Sequence, residues 1–226
     1  MNQNQKKKLS KVLVVLSILL IPLIICLLSF KSATFDLEFY NEEFEQYNPD
    51  VDNALGVAKD LTSYLKYTSA GTSYLVSFNE EEITHLKDVK SLVQASLWIL
   101  YISVVLLVVF AILIYNLNKE NKLELFKKTG VVLVGGGVLN LVLIGIFRIF
   151  MMDFQGTFTK FHHVFFPQGG WQFPVEYNLV KLFPAKFFID AVNLIAYRII
   201  ITAVFVLVVG IIILIIQNKI KKKLRR

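Results

Sequence analysis

Four long apolar runs leave this chain few ways to fold. Residues 12–30 and 97–115 are 19 positions each, 131–147 is 17, and 199–216 is 18. A helix needs about 20 such residues to cross a hydrocarbon core of about 30 Å. In a soluble bundle each run would carry a polar face at helical spacing, and none does. The runs therefore predict an all-α membrane protein with four transmembrane helices, at about 12–30, 95–116, 130–152 and 191–217. The first run follows a basic start, as a signal peptide would. Its length and the lack of a small-x-small cleavage site mark it as a retained helix. Cys26, the only cysteine, lies inside it, so no disulfide can form within one chain.

Charge gives the orientation. Residues 1–11 carry four lysines, and residues 116–128 carry Lys119, Lys122, Lys127 and Lys128. The C-terminal tail carries Lys219, Lys221, Lys222, Lys223, Arg225 and Arg226, and only Glu120 and Glu124 oppose these three groups. The other two loops hold eight Lys and fifteen Asp or Glu. Both termini are expected in the cytoplasm. Residues 31–94 and 153–190 then form a small extracytoplasmic cap on a single integral membrane domain, 1–226. The net charge of +7 belongs to the cytoplasmic ends. It suits anionic lipid head groups, so membrane lipids are expected partners and nucleic acid is not. No span carries a central Asp, Glu or His for a proton relay, which argues against a transporter.

The first outer loop is long enough to fold. Asp50 is placed to cap a helix from about 51 to 67 with an apolar stripe at Val51, Leu55, Ala58, Leu61 and Leu65. Residues 71–78 read as a strand or a loop. Asn79 with Glu82 three residues on is a capping box opening a helix into the second span. In the second outer loop, 11 of 38 residues are Phe, Trp or Tyr, and Pro167, Gly169, Gly170, Pro174 and Pro184 break it into turns.

The three histidines, His85, His162 and His163, all fall in these outer loops. They are the side chains whose ordinary pKa suits proton exchange near neutrality. On a helix, Asp88 is the i+3 neighbour of His85, and a close carboxylate would fix its tautomer and favour its protonated form. The competing reading is an ordinary surface histidine. If the stretch around His162 and His163 is extended, the two point to opposite sides. At most one then shares a site with His85, unless both are polar tips of an aromatic belt. Arg148 ends the third span and Arg198 begins the fourth. Each either snorkels to head groups or holds a substrate carbonyl or a carboxylate such as Asp190. Asn140 and Asn193 are candidates for joining helices. The sequence holds no Gly-x-Ser-x-Gly, His-Glu-x-x-His or phosphate loop. The three His with Asp88 or Glu176 leave a zinc site open. Acid–base chemistry beside an aromatic, acyl-binding pocket is the reading that remains.

Two stretches also carry a family resemblance. Glu82-Ile-Thr-His85-Leu-Lys-Asp88-Val89 and Phe161-His162-His163-Val-Phe165-Phe166-Pro-Gln-Gly-Gly-Trp171-Gln-Phe173, with the segment from Leu182 to Asp190, resemble the lipoprotein intramolecular transacylases of Gram-positive bacteria. The resemblance implies an acyltransferase acting on a diacylglyceryl-modified lipoprotein cysteine. The sn-2 acyl chain moves to that cysteine's own α-amino group, giving a lyso-form lipoprotein with no metal or other cofactor. It implies two catalytic histidines, His85 and His162, the first expected as base and the second as acid or oxyanion donor. Asp88, Arg148, His163 and Arg198 are expected in support, and Phe161, Phe165, Phe166, Trp171 and Phe173 as the substrate pocket. The alternatives are a membrane lipid hydrolase, zinc-dependent or not, and a non-catalytic lipoprotein-binding membrane protein.

Overall fold

A computed structural model of the chain describes residues 2–224; Arg225 and Arg226, counted above among the terminal cations, lie outside the described residues. These residues form α1 (Gln3–Thr34), α2 (Leu37–Tyr47), α3 (Ala54–Lys66), a 3₁₀ helix (Thr72–Leu75), α4 (Glu80–Asn118), α5 (Lys122–Phe150), α6 (Phe154–Phe165), α7 (Asn178–Leu182) and α8 (Ala185–Lys223), with no strand among the described residues. The expected all-α class is correct. The four apolar runs lie in α1, α4, α5 and α8, each long and apolar enough to cross a membrane.

The chain divides into two compact units. The membrane unit takes the N-terminal residues up to Leu28, then Ile99–Phe147, then the chain from Ala196. Its helices approach through glycines. A Cβ on Gly136 would lie 2.7 Å from Ile21 Cβ, and one on Gly210 would lie 2.8 Å from the backbone nitrogen of Val134. Lipid tails are as apolar as leucine, so close contact over small residues holds such helices together where hydrophobic exclusion cannot. At one end, Asn118 Nδ2 donates to Ser10 Oγ (3.0 Å), and Lys128 Nζ donates to Asn118 Oδ1 (2.7 Å) and Ser10 Oγ (2.9 Å). Asn140 is buried, but its Nδ2 makes no hydrogen bond among the described residues. The expected link between helices is absent on that atom.

The second unit, Ser29–Trp98 with Arg148–Ile195, has a core of side chains. Tyr40, Phe44, Leu61, Leu65, Leu75, Phe183 and Phe187 are among its buried members. Long-range hydrogen bonds fasten it: Tyr47 Oη donates to the Leu182 carbonyl (2.6 Å), and Gln94 Nε2 to that of Leu65 (2.6 Å). The capping box at the start of α4 forms. Glu82 N donates to Asn79 Oδ1 (3.0 Å) and Asn79 N to Glu82 Oε2 (2.8 Å). Asp50 does not cap α3. Asn53 is the residue at that boundary, in a left-handed conformation and without a side-chain cap. Asp50 instead accepts from Lys181 Nζ at 2.9 Å, a charged partner from a distant segment that spacing does not reveal. Residues 71–78 are neither strand nor plain loop, since Thr72–Leu75 close a 3₁₀ turn.

Candidate active site

The stretch around His162 is helical, not extended. Asp153 starts α6 by accepting from the Gly156 amide at 2.9 Å. The turns then place Phe154, Phe158 and His162 on one stripe, four residues apart. His162 is thereby buried and His163 exposed. A hundred degrees of helical rotation separates the neighbours, where a strand would have set them on opposite faces. Gly169 and Gly170, at φ +80° and +73°, then reverse the chain. A left-handed pair of this kind costs glycine nothing sterically, and it brings Trp171 back against α6.

His85 sits in the second turn of α4 and is buried. Its ring centroid lies 6.2 Å from that of His162, with the planes 26° apart. Phe166 touches both rings, at 4.8 Å from His85 and 5.5 Å from His162. Phe173 packs edge-on to His85 at 5.6 Å. Phe158 and Trp171 flank His162 at 4.1 and 4.6 Å. Both imidazoles open on a cavity of about 320 Å³ whose other walls are mostly apolar, including Phe154, Leu179, Val180, Phe183 and Phe188.

Hydrogen bonds set the rings apart. His162 Nδ1 lies 2.8 Å from the carbonyl oxygen of Phe158. A carbonyl only accepts, so Nδ1 carries the proton and Nε2 of the neutral ring carries a lone pair. His85 Nδ1 is buried and has no hydrogen-bond partner among the described residues. Burial, and then the neighbouring His162, push His85 down to about 4, against a smaller upward pull from Asp88. Burial also lowers His162, opposed by the bond to Phe158 and assisted by His163. Both rings are therefore neutral at pH 7. The expected preference of His85 for its charged form is overturned, because desolvation outweighs a carboxylate that is not bonded to the ring. Asp88 accepts instead from Gln168 Nε2 at 2.7 Å, which ties the turn after α6 to α4.

Of the expected pocket, Trp171 and Phe173 line the cavity. Phe166 is buried against the histidines, while Phe161 and Phe165 are 43% and 48% exposed and line nothing in it. The helical period of α6 turns those two away. His163 meets the edge of Trp171, at 5.6 Å. Arg148 Nη1 donates to Asn193 Oδ1 at 2.6 Å. Asp190 pairs with Lys186 at 2.6 Å, so Arg148 holds an amide and not that carboxylate. Arg198 belongs to the membrane unit, and neither arginine lines the cavity. Phe154, Phe158, Phe183 and Phe188 were not expected in the pocket. The four-residue spacing from Phe154 to His162 was the signal for the first two.

Glu82 is the other buried group at the site, with 1% of its surface exposed. Besides the capping bond it accepts from the Leu179 amide at 2.6 Å, so one carboxylate joins the first turns of α4 and α7 beside the cavity wall. Among the described residues, no group of three or more His, Cys, Asp or Glu is arranged to hold a metal ion.

The family model described as "Lipoprotein intramolecular transacylase Lit" matches residues 10–188. Solved structures of the membrane integral lipoprotein intramolecular transacylase Lit from Bacillus cereus share the fold. One is 21% identical, with a TM-score of 0.77 over 97% of this chain and 100% of that one. A second, carrying an H85R mutation, is 18% identical with a TM-score of 0.77 over 99% and 97% of the two chains. A third, with an H85A mutation, is 19% identical with a TM-score of 0.78 over the whole of both. The comparison with curated proteins found no match.

Proposed function

The chain belongs to the lipoprotein intramolecular transacylase family, and we propose that His162 and His85 carry out the transfer of an acyl chain within one diacylglyceryl-modified lipoprotein. The α-amino nitrogen of the modified cysteine attacks the sn-2 ester carbonyl. The new C–N bond and the broken C–O bond share one tetrahedral carbon. Nε2 of His162 takes the proton leaving the nitrogen and returns it to the departing glyceryl oxygen, so amide and free hydroxyl form with no net proton change. His85 donates from Nε2 to the carbonyl oxygen as it gains charge, the tautomer that leaves its buried Nδ1 unprotonated. This assignment reverses the roles expected for the two histidines above. The observation that carries it is the bond from His162 Nδ1 to the Phe158 carbonyl, within a pair of rings 6.2 Å apart. Two hydrogen bonds of about 3 Å span that separation through one reacting centre.

No enzyme nucleophile is required, because the substrate brings its own amine, with a free pKa of about 7.7–8.0. Holding that amine against its own ester supplies roughly 7–11 kcal/mol of the barrier. The apolar cavity walls favour the acyl chain and disfavour water, which would otherwise hydrolyse the ester. Asp88 acts on His85 only through space and through the turn it anchors. Both termini lie in the cytoplasm and the site faces outward, as the Lys and Arg bias indicates.

Mass spectrometry of lipoprotein N-termini, from cells with and without the chain, tests the reaction. An acyl group moved from ester to amide linkage is expected only when the chain is present. Unchanged diacylglyceryl cysteine in both would refute it. Zinc-dependent loss of the ester-linked chain as free fatty acid, with no amide formed, would favour the hydrolase alternative.

A further inference from the structure

A second cavity lies wholly within the membrane unit and takes no part in the acyl transfer. It occupies about 620 Å³ beside the first turns of α1 and the turn joining α4 to α5. Its walls carry five lysines, Lys6, Lys7, Lys8, Lys11 and Lys128, against Glu120 and Glu124, a formal charge of +3. Lys128 is already committed, to Ser10, Asn118 and, at 3.5 Å, Glu124. It forms part of a fixed floor with Asn118. Lys6, Lys7, Lys8 and Lys11, in the first turns of α1, form no ion pair among the described residues. They immediately precede the apolar run 12–30, so the cavity sits where head groups meet the hydrocarbon. The cluster Lys219, Lys221, Lys222 and Lys223 flanks its own span with equal charge but is no part of this wall. A topological signal needs only the charge. A concave wall on a hydrogen-bonded floor is a different arrangement, and its volume falls within the range of small-molecule sites.

We propose that this cavity binds the phosphodiester head group of an anionic phospholipid, with Lys6, Lys7 and Lys11 as the phosphate-facing cations over the Asn118–Lys128 floor. Ammonium groups act as point charges toward phosphate, and the adjoining apolar faces of α1 and α4 receive the tails. The occupant is a lipid and not free phosphate because the cavity adjoins hydrocarbon on the membrane side.

Native mass spectrometry of the full chain in detergent tests this, with phosphatidylglycerol and phosphatidylcholine as probes. One retained phosphatidylglycerol is expected at concentrations where phosphatidylcholine leaves none. Each lysine near an anionic head group is worth about fivefold in retention. Lys7→Gln should then lose about fivefold, and Lys6→Gln, Lys7→Gln and Lys11→Gln together about a hundredfold. The single variant decides the matter if the triple variant does not fold. Neutralising Lys219, Lys221, Lys222 and Lys223 together should leave retention unchanged. Equal loss from both clusters would overturn the site in favour of diffuse charge. Equal retention of the two lipids, or displacement of phosphatidylglycerol by equimolar inorganic phosphate, would also overturn it.

Discussion

The two units are both helical, yet they cohere by opposite means. The membrane unit relies on what its side chains lack. Gly130, Gly136, Gly137 and Gly210 let helices approach until an added Cβ would lie under 3 Å from a neighbour. The second unit relies on what its side chains bring, a core of packed aromatic rings crossed by hydrogen bonds that Tyr47, Gln94 and Asn178 donate and Glu82 accepts. The solvent explains the contrast. In water, burying apolar rings is favourable at about 25 cal/mol per Å², whereas among lipid tails only closer contact is gained. Chemistry follows the same division. Buried imidazoles need walls that shift their pKa and fix their tautomers, and the aromatic unit supplies them.

The largest expected effect separates function from cohesion. His162→Ala should slow amide formation by about 10²–10⁴-fold, the usual worth of a general base, with His85→Ala in the same range. Neither should change the fold by circular dichroism. A wild-type rate in His162→Ala would remove the proposed base and break the link between aromatic walls and chemistry.

Next come the two kinds of cohesion. Gly210→Ala in the membrane unit meets a backbone atom at 2.8 Å and should cost about 1–3 kcal/mol. Gly145→Ala, with nothing within 4 Å, should cost no stability. If both variants melt at the same temperature in detergent, close packing is not what holds that unit. In the second unit, Glu82→Gln removes one of two acceptors and strands a buried amide, at about 1–3 kcal/mol. Thermal unfolding matching wild type would show that this carboxylate fastens nothing.

A pH series sharpens the contrast further. The folded pKa of His85 is pushed down to about 4 from 6.5, so the unfolded chain binds the proton more readily. The stability from this group is full above 6.5 and is lost as pH falls from 6.5 through 4. Titration of the ring protons by NMR should likewise place both imidazoles below 6.5, because the working rings are neutral, while the acid limb of kcat also carries the substrate amine's own ionisation. A ring titrating at 6.5 or above would mean that burial does not govern it. The smallest effect is His163→Ala. An exposed ring outside the cavity should change the rate by less than about threefold, against the general base's 10²-fold or more.

Much of this was legible in the chain. Hydrocarbon thickness fixes helix length, so four apolar runs were enough for four long helices. The Asn79–Glu82 capping box was readable because both partners lie within one turn. The resemblance of two short stretches pointed to His85 and His162 before any geometry. The gaps have a common cause. Asp50 was taken from α3 by Lys181, Asp88 from His85 by Gln168, and Asp190 from Arg148 by Lys186. Short polar side chains take the partner that folding delivers, and two of these three partners come from far along the chain.

What sequence alone determined is the class of the molecule and the identity of its titratable groups, since both follow from which atoms avoid water and which exchange protons. Tertiary structure decided which imidazole faces its neighbour and which nitrogen holds the proton. A ring's tautomer depends on the acceptor beside it, and the turn of α6 placed the Phe158 carbonyl there. The depressed pKa values have the same origin, because desolvation exists only once the walls have closed around the ring.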